Sequence, residues 1–204
     1  MRDPGWQRTK EGFDLRIVVG VTGASGSIYG WRLLEKLRGQ SGMETHLVLS
    51  RSGERTAYLE LGKTAAEFKA LADHTYPFED ISCRLASGSY PMDAMIVAPC
   101  SIHTMSAIAH GISSNLIVRC ADVTLKERRR LVLMVRESPL HVGHLRSMTA
   151  VAEMGAIVAP PVPAFYHQPQ SVAEIVEDSV NRAMALAGTP AADARYWEGS
   201  RGGK

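Results

Sequence analysis

The segment Thr22-Gly23-Ala24-Ser25-Gly26-Ser27 follows an apolar, β-branched run and precedes a helical pattern. Small residues let the backbone approach a ligand closely, and amides at a helix start favour a phosphate. The same turn also suits a plain strand-to-helix connection, with Ser25 or Ser27 as the helix cap. Pro99-Cys100-Ser101-Ile102-His103-Thr104 repeats the arrangement after a second apolar run. Ser101 and Thr104 offer hydroxyls beside helix-start amides there, or simply an N-cap. Arg136-Glu137 follows a third apolar run. Such a pair can hold an anion and relay a proton, or form a surface salt bridge. Arg119 sits in the apolar stretch LIVRCADV, where a buried guanidinium needs an anionic partner or a structural carboxylate. Tyr166, in a proline-rich loop, can seat a phosphate or pack a lid.

Several chemistries are excluded or disfavoured. The dinucleotide pattern G-x-G-x-x-G does not fit the first turn, and no Gly-Lys-Ser/Thr marks a P-loop. A TGASG turn also occurs in short-chain dehydrogenases, but no tyrosine here has a lysine four residues on. His141 and His144 have helical spacing for a metal, but no Glu or Cys completes the set, so no metal is expected. Cys100 lacks an evident base and reads as a small buried residue. His103 and His110 read as polar edge residues. Asp122, Lys126 and Glu127 lie on adjacent helical turns and suit solvated ion pairs.

Alternating elements must position these groups. Buried strands are expected at Arg16–Val21, Glu44–Ser50, Ala94–Ala98, Leu131–Val135 and Ala156–Ala159. Helices are expected at Ser27–Arg38, Arg51–Leu61, Ala65–Ala72, Ser101–His110, Ser114–Arg128, Pro139–Met154 and Ser171–Ala187. The first shows Ile28, Trp31, Leu34 and Leu37 on one face, and the last Val172, Ile175, Val176, Val180 and Met184. His74 to Ser89 reads as loop, and the four prolines of Pro160–Pro169 exclude regular structure. The pattern predicts an α/β, Rossmann-like three-layer sandwich with a mainly parallel sheet flanked by helices. One domain is expected over 15–198, with flexible tails at 1–14 and 199–204.

The chain of 204 residues carries 23 basic and 21 acidic groups, for a net charge of +2. That balance points to neither nucleic acid nor an anionic membrane. No apolar run approaches the roughly 20 residues of a membrane span, and Met1 to Asp14 lacks the apolar stretch of a signal peptide. Three widely spaced cysteines, Cys83, Cys100 and Cys120, argue against a disulfide framework and suit the cytoplasm.

Together VTGASGSIYGWRLL, LVLS, ASGS, AMIVAPCS, NLIVRCADVTLKERRRLVLMVRE, PPVPAFYHQPQSV and ARYW resemble the flavin prenyltransferases (UbiX-type), over roughly residues 16–198. These belong to a flavoprotein superfamily that also holds flavin-dependent cysteine decarboxylases. The resemblance implies transfer of a dimethylallyl group from dimethylallyl phosphate to N5 and C6 of reduced FMN. It implies prenylated FMN as the product, handed to a UbiD-type decarboxylase, and a homo-oligomer, typically a dodecamer. By position, Gly23, Ala24, Ser25, Ser50, Ser101, Ile102, His103, Thr104 and Arg136 match FMN contacts. Ser25 also lies near the reacting centre, Glu137 matches a proton-relay acid, and Arg119 matches an active-site arginine. Lys126, Tyr166 and Arg182 match the prenyl phosphate cradle.

The chain departs from its relatives at Ile81, where some carry tryptophan, and at His144-Leu145-Arg146-Ser147-Met148, where many read HLENM. A cysteine decarboxylase-like enzyme and a non-catalytic FMN-binding protein are the alternatives. The former is expected to place a histidine where Tyr29 and Trp31 stand here.

Overall fold

A computed structural model describes residues 15–189 together with Ala191, Asp193, Ala194 and Gly199. The expected tail at 1–14 lies outside the described residues, as do most of 199–204 and most of the ARYW segment.

Six strands form one parallel sheet. They are β1 (Leu15–Val21), β2 (Met43–Leu49), β3 (His74–Tyr76), β4 (Ala94–Cys100), β5 (Arg130–Val135) and β6 (Ile157–Val158). Their order is β3-β2-β1-β4-β5-β6. β1 and β4 are central and covered on both faces, which is why they read as continuous apolar runs. The strand β3 carries the sequence His-Thr-Tyr, at the sheet edge, where an apolar run is not required. It therefore lies inside the segment expected to be loop.

Seven helices are described: α1 (Ser27–Arg38), α2 (Arg51–Leu61), α3 (Ala65–Lys69), α4 (Ile102–Ala109), α5 (Leu116–Lys126), α6 (Val142–Glu153) and α7 (Val172–Ala187). On one face of the sheet Leu33, Leu34 and Leu37 of α1 pack with Val180 and Met184 of α7 against Val19, Ile96 and Val132. On the other, Met105 of α4, Ile117 and Cys120 of α5 and Val151 of α6 pack against Val18, Met95 and Leu133. Burying each such aliphatic side chain contributes about 1.5–3 kcal/mol.

Side-chain caps set most helix starts. Ser50, Thr64, Ser101, Asn115 and Ser171 each accept an amide hydrogen bond from their own first turn. The stripes shift from the expected ones at two places. In α1, Leu33 joins Leu34 and Leu37 in the core while Ile28 and Trp31 are only partly buried. In α7, Val172 is 77% exposed, because the first turn projects beyond the sheet and packing begins at Val176. The proline-rich segment holds a short 3-10 turn at Phe165–His167, placed between its prolines.

One close approach fixes the sheet's functional edge. A Cβ on Gly30 of α1 would lie 2.4 Å from the carbonyl oxygen of Ala98 in β4. Gly30→Ala gains about 1 kcal/mol of helix propensity, but the clash with backbone wins. A net loss of about 1–3 kcal/mol is expected from chemical denaturation, and an unchanged midpoint would refute this account of Gly30.

Candidate active site

Parallel strands point their carboxyl ends to one edge, and the connections leave β1 and β4 in opposite directions across the sheet. That switch point is where open α/β sheets take ligands. The glycine turn after β1 and the Ser101 turn after β4 meet there. Thr22 joins them: its hydroxyl donates to the Pro99 carbonyl at 2.7 Å and accepts from the Ser101 amide at 2.8 Å. Ser101 Oγ donates to Thr104 Oγ1 and accepts from the Thr104 amide. Ser50, at the end of β2, hydrogen-bonds through its amide to the Val21 carbonyl. Its hydroxyl caps Gly53 and lies 3.2 Å from Ser52 Oγ. Gly23 must be glycine here, since a Cβ would fall 2.5 Å from Ser52 Cβ.

The glycine turn differs from expectation in one respect. Neither Ser25 nor Ser27 caps α1; Gly26 takes the N-cap position at φ 101°. A carboxylate from α2 supplies the cap, as Glu60 accepts from the amides of Gly26 and Ser27 at 2.8–3.1 Å. The amides expected to be open to a phosphate are therefore occupied. Against its own partial burial, hydrogen bonds from Ser25, Ser27 and Gly26 hold the Glu60 carboxyl below the usual range. Glu60 was missed in the sequence because it lies 34 residues from the turn, among ordinary helical charges. The start of α2 stays open: Ser50 caps Gly53, and the amides of Arg51 and Ser52 find no partner among the described residues, as is also so for the amides of Ile102 and His103 at the start of α4.

Arg136 and Glu137 follow β5 at the same edge, where the Arg136 amide bonds to the Cys100 carbonyl. Arg136 stands near Tyr29 of α1; burial raises the tyrosine hydroxyl, and the guanidinium partly offsets it. Arg136 and Glu137 do not form the salt bridge that was their ordinary alternative. Glu137 is exposed, and its Oε1 accepts from the Ser138 amide at 3.0 Å. Ser25 and His103 are exposed and Ile102 is partly exposed, while Ile102 lines a separate groove with Ser106, His110, His141 and His144. Cys100 is fully buried and its thiol is pushed up to about 12, so it is no nucleophile.

The expected phosphate cradle is split. Tyr166 and Arg182 line one cavity of about 390 Å³, with Met134, Pro160, Asp178 and Asn181. Lys126 is elsewhere, at the end of α5, paired with Glu127 beside the Ala86–Ser89 turn. α5 and α7 pack on opposite faces of the sheet. Lys126 also precedes β5, which puts it at the amino edge. Arg119 is half-exposed rather than buried, pairs with Asp122 at 2.7 Å and donates to the Ala86 carbonyl at 3.2 Å. A structural carboxylate thus meets its charge, and one chain alone does not join Arg119 or Lys126 to Tyr166.

Comparison with known proteins identifies the family and the fold. The Flavoprotein family pattern matches residues 7–184. The flavin prenyltransferase UbiX of Salmonella typhimurium is 52% identical over 169 residues, covering 83% of this chain and 89% of the relative. A crystal structure of AnUbiX (PadA1) in complex with FMN and dimethylallyl pyrophosphate superposes with a TM-score of 0.88 at 44% identity, over 91% of this chain and 98% of that one. A dodecameric FMN-dependent UbiX-like decarboxylase from Escherichia coli O157:H7 superposes equally well at 42% identity, over 91% of this chain and all of that one. The chain belongs to the flavoprotein family and, within it, to the UbiX-type flavin prenyltransferases.

Proposed function

We propose that this protein transfers a dimethylallyl group from dimethylallyl phosphate to N5 and C6 of reduced FMN, making prenylated FMN for a UbiD-type decarboxylase in the cytoplasm. The supporting observation is the Thr22 joint, which gathers the ends of β1 and β4 beside Ser50 and Arg136. The start of α2, with the Ser50 and Ser52 hydroxyls, suits a phosphate monoester. Gly23, Ala24 and Ser25 on one side and Ser101 to Thr104 on the other would hold the ring system between them. Bound FMN would supply the nucleophilic N5 and an aromatic face for the prenyl group. Arg136 would fix the flavin from the β5 side, and Glu137 would hold or move the proton at the reacting centre. Ser25, hydrogen-bonded to Glu60, would orient a proton there as well.

The donor phosphate would lie between two copies of the chain. Tyr166 and Arg182 come from one, and Lys126, with the Ala86–Ser89 turn and Arg119, comes from another. Cationic and phenolic donors there would stabilise charge growing on the leaving phosphate. Ile112, Leu140, Val142 and Leu145 are large apolar side chains left exposed around α4 and α6, as a homo-oligomer contact requires. The dodecamer of the Escherichia coli relative supports a closed assembly of that kind.

Mass spectrometry of the flavin after anaerobic incubation of reduced FMN with dimethylallyl phosphate tests the reading. The expected flavin gains one dimethylallyl unit; unmodified FMN, with the pyrophosphate donor tried in parallel, would refute it. The purified protein is also expected to bind FMN in preference to FAD and NADP, because the turn lacks the dinucleotide pattern. Equilibrium titration with NADP outcompeting FMN would revive the dehydrogenase alternative.

A further inference from the structure

A polar cluster lies near the amino edge of the sheet, away from the flavin turns, and the transfer chemistry makes no use of it. Glu44 and His46 stand two apart on β2 and so share one side of the strand. The parallel register sets His74 of β3 opposite His46. Glu44 and His46 are buried, and His74, on the edge strand, is partly exposed. Glu44 Oε1 lies 2.9 Å from His74 Nε2 and 3.5 Å from His46 Nε2. The three donor atoms all fall within 4.8 Å of one another. His46 Nε2 is fully buried with no hydrogen-bond partner, aimed at this small space.

We propose that Glu44 Oε1, His46 Nε2 and His74 Nε2 form a binding site for one divalent transition-metal ion of the zinc class, which ties edge strand β3 to β2.

The donor set is the first argument. Two imidazoles and a carboxylate suit zinc, cobalt, nickel or copper rather than magnesium or calcium. Zinc bonds of about 2.0–2.2 Å put tetrahedral donors roughly 3.3 Å apart, and the two separations at Glu44 Oε1 bracket that value. The second argument is the surrounding shell. Tyr76 Oη lies 3.1 Å from His46 Nδ1, and Arg84 Nε donates to the same oxygen at 2.9 Å. With Tyr76 as acceptor, Nδ1 keeps its proton and Nε2 presents its lone pair, the orientation that ligating histidines are given. Arg16 Nε holds Glu44 Oε2 at 2.5 Å, which turns Oε1 toward both rings. The two imidazoles stack with centroids 4.9 Å apart and planes 20° from parallel, so the edge residue His74 must turn its ring for both Nε2 lone pairs to meet on one ion. Three protein ligands leave a fourth position for water. The guanidinium charges of Arg16 and Arg84 oppose a dication, so micromolar rather than nanomolar affinity is expected.

The competing account of the same atoms is a purely protonic network, with His74 Nε2–H donating to Glu44 Oε1. Isothermal titration of chelator-treated, full-length protein with zinc chloride separates the two, with cobalt absorption reporting the ligand geometry. One zinc per chain is expected, and cobalt should give the visible bands of a four-coordinate site. His74→Ala, at an edge position, should weaken binding at least tenfold. Tyr76→Phe, which removes only an outer-shell hydroxyl, should weaken it about tenfold and carries the test if His74→Ala does not fold. The double variant His141→Ala/His144→Ala controls for the other histidine pair and should bind as wild type does. Absence of binding at millimolar zinc overturns the proposal. So does equal binding by wild type, His74→Ala and Tyr76→Phe, or loss of binding only in the His141/His144 variant.

Discussion

Glu137→Gln is expected to bind FMN as wild type does and to transfer the prenyl group about 10²- to 10⁴-fold more slowly. The carboxylate stands at the end of β5, next to Arg136 and across from the glycine turn. Its Oε1 accepts the Ser138 amide, a bond that the glutamine carbonyl can also accept. Loop shape is therefore preserved and only proton affinity is lost, which separates a chemical role from a structural one. FMN affinity should not move, because the phosphate is assigned to the start of α2 and the ring to the two stapled turns. Single-turnover kinetics with pre-bound reduced FMN read the chemical step directly. A full wild-type rate would remove Glu137 from proton transfer and leave Glu60, through Ser25, as the remaining carboxylate beside the turn. A parallel loss of FMN binding would instead mark Glu137 as a binding group.

How much of this was legible in the sequence differs by element. β1 and β4 declared themselves, because burial on both faces forces an unbroken apolar run. β3 did not, since an edge strand of three residues is specified by its neighbour's register and not by its own composition. The two strand-to-helix turns were legible for a local reason: a strand end and small residues fall within six positions, and in the second turn Ser101 adds the helix cap. Glu60 was not, because a side chain that reaches back from the next helix leaves no mark on the turn it caps. Arg119 illustrates a third limit. Apolar neighbours in sequence implied burial, yet α5 turns this position outward, and Asp122, one helical turn on, takes the charge. The cluster of Glu44, His46 and His74 spans two strands, so its assembly depends on the pairing of β2 with β3.

Lys126→Ala, Tyr166→Phe and Arg182→Ala are each expected to slow transfer by roughly ten- to a hundredfold while leaving FMN binding unchanged. A charge-assisted contact to a buried phosphate contributes about 1.5–3 kcal/mol, which gives that range. The three would serve one leaving group, so losses in a double variant should fall short of the product of the singles. The fold adds a sharper expectation. Lys126 lies on a helix packed against one face of the sheet, and Arg182 on a helix packed against the other, so a complete cradle needs two chains. Two slow variants, Lys126→Ala and Arg182→Ala, should therefore rescue each other when dissociated and reassembled together. In mixed assemblies some junctions pair the intact Lys126 of one chain with the intact Arg182 of another, and those sites should run at the wild-type rate. Other junctions carry both lesions and should be as slow as the double variant. If the two instead acted from the same chain, no mixed junction would be intact, and mixing would give only the mean of the two slow rates. Transfer assayed before and after mixing, at fixed total protein and limiting donor, distinguishes these outcomes. Rates that stay at the mean would place the whole cradle within one chain and reject the shared site. Wild-type rates in all three single variants would move the phosphate away from these residues altogether.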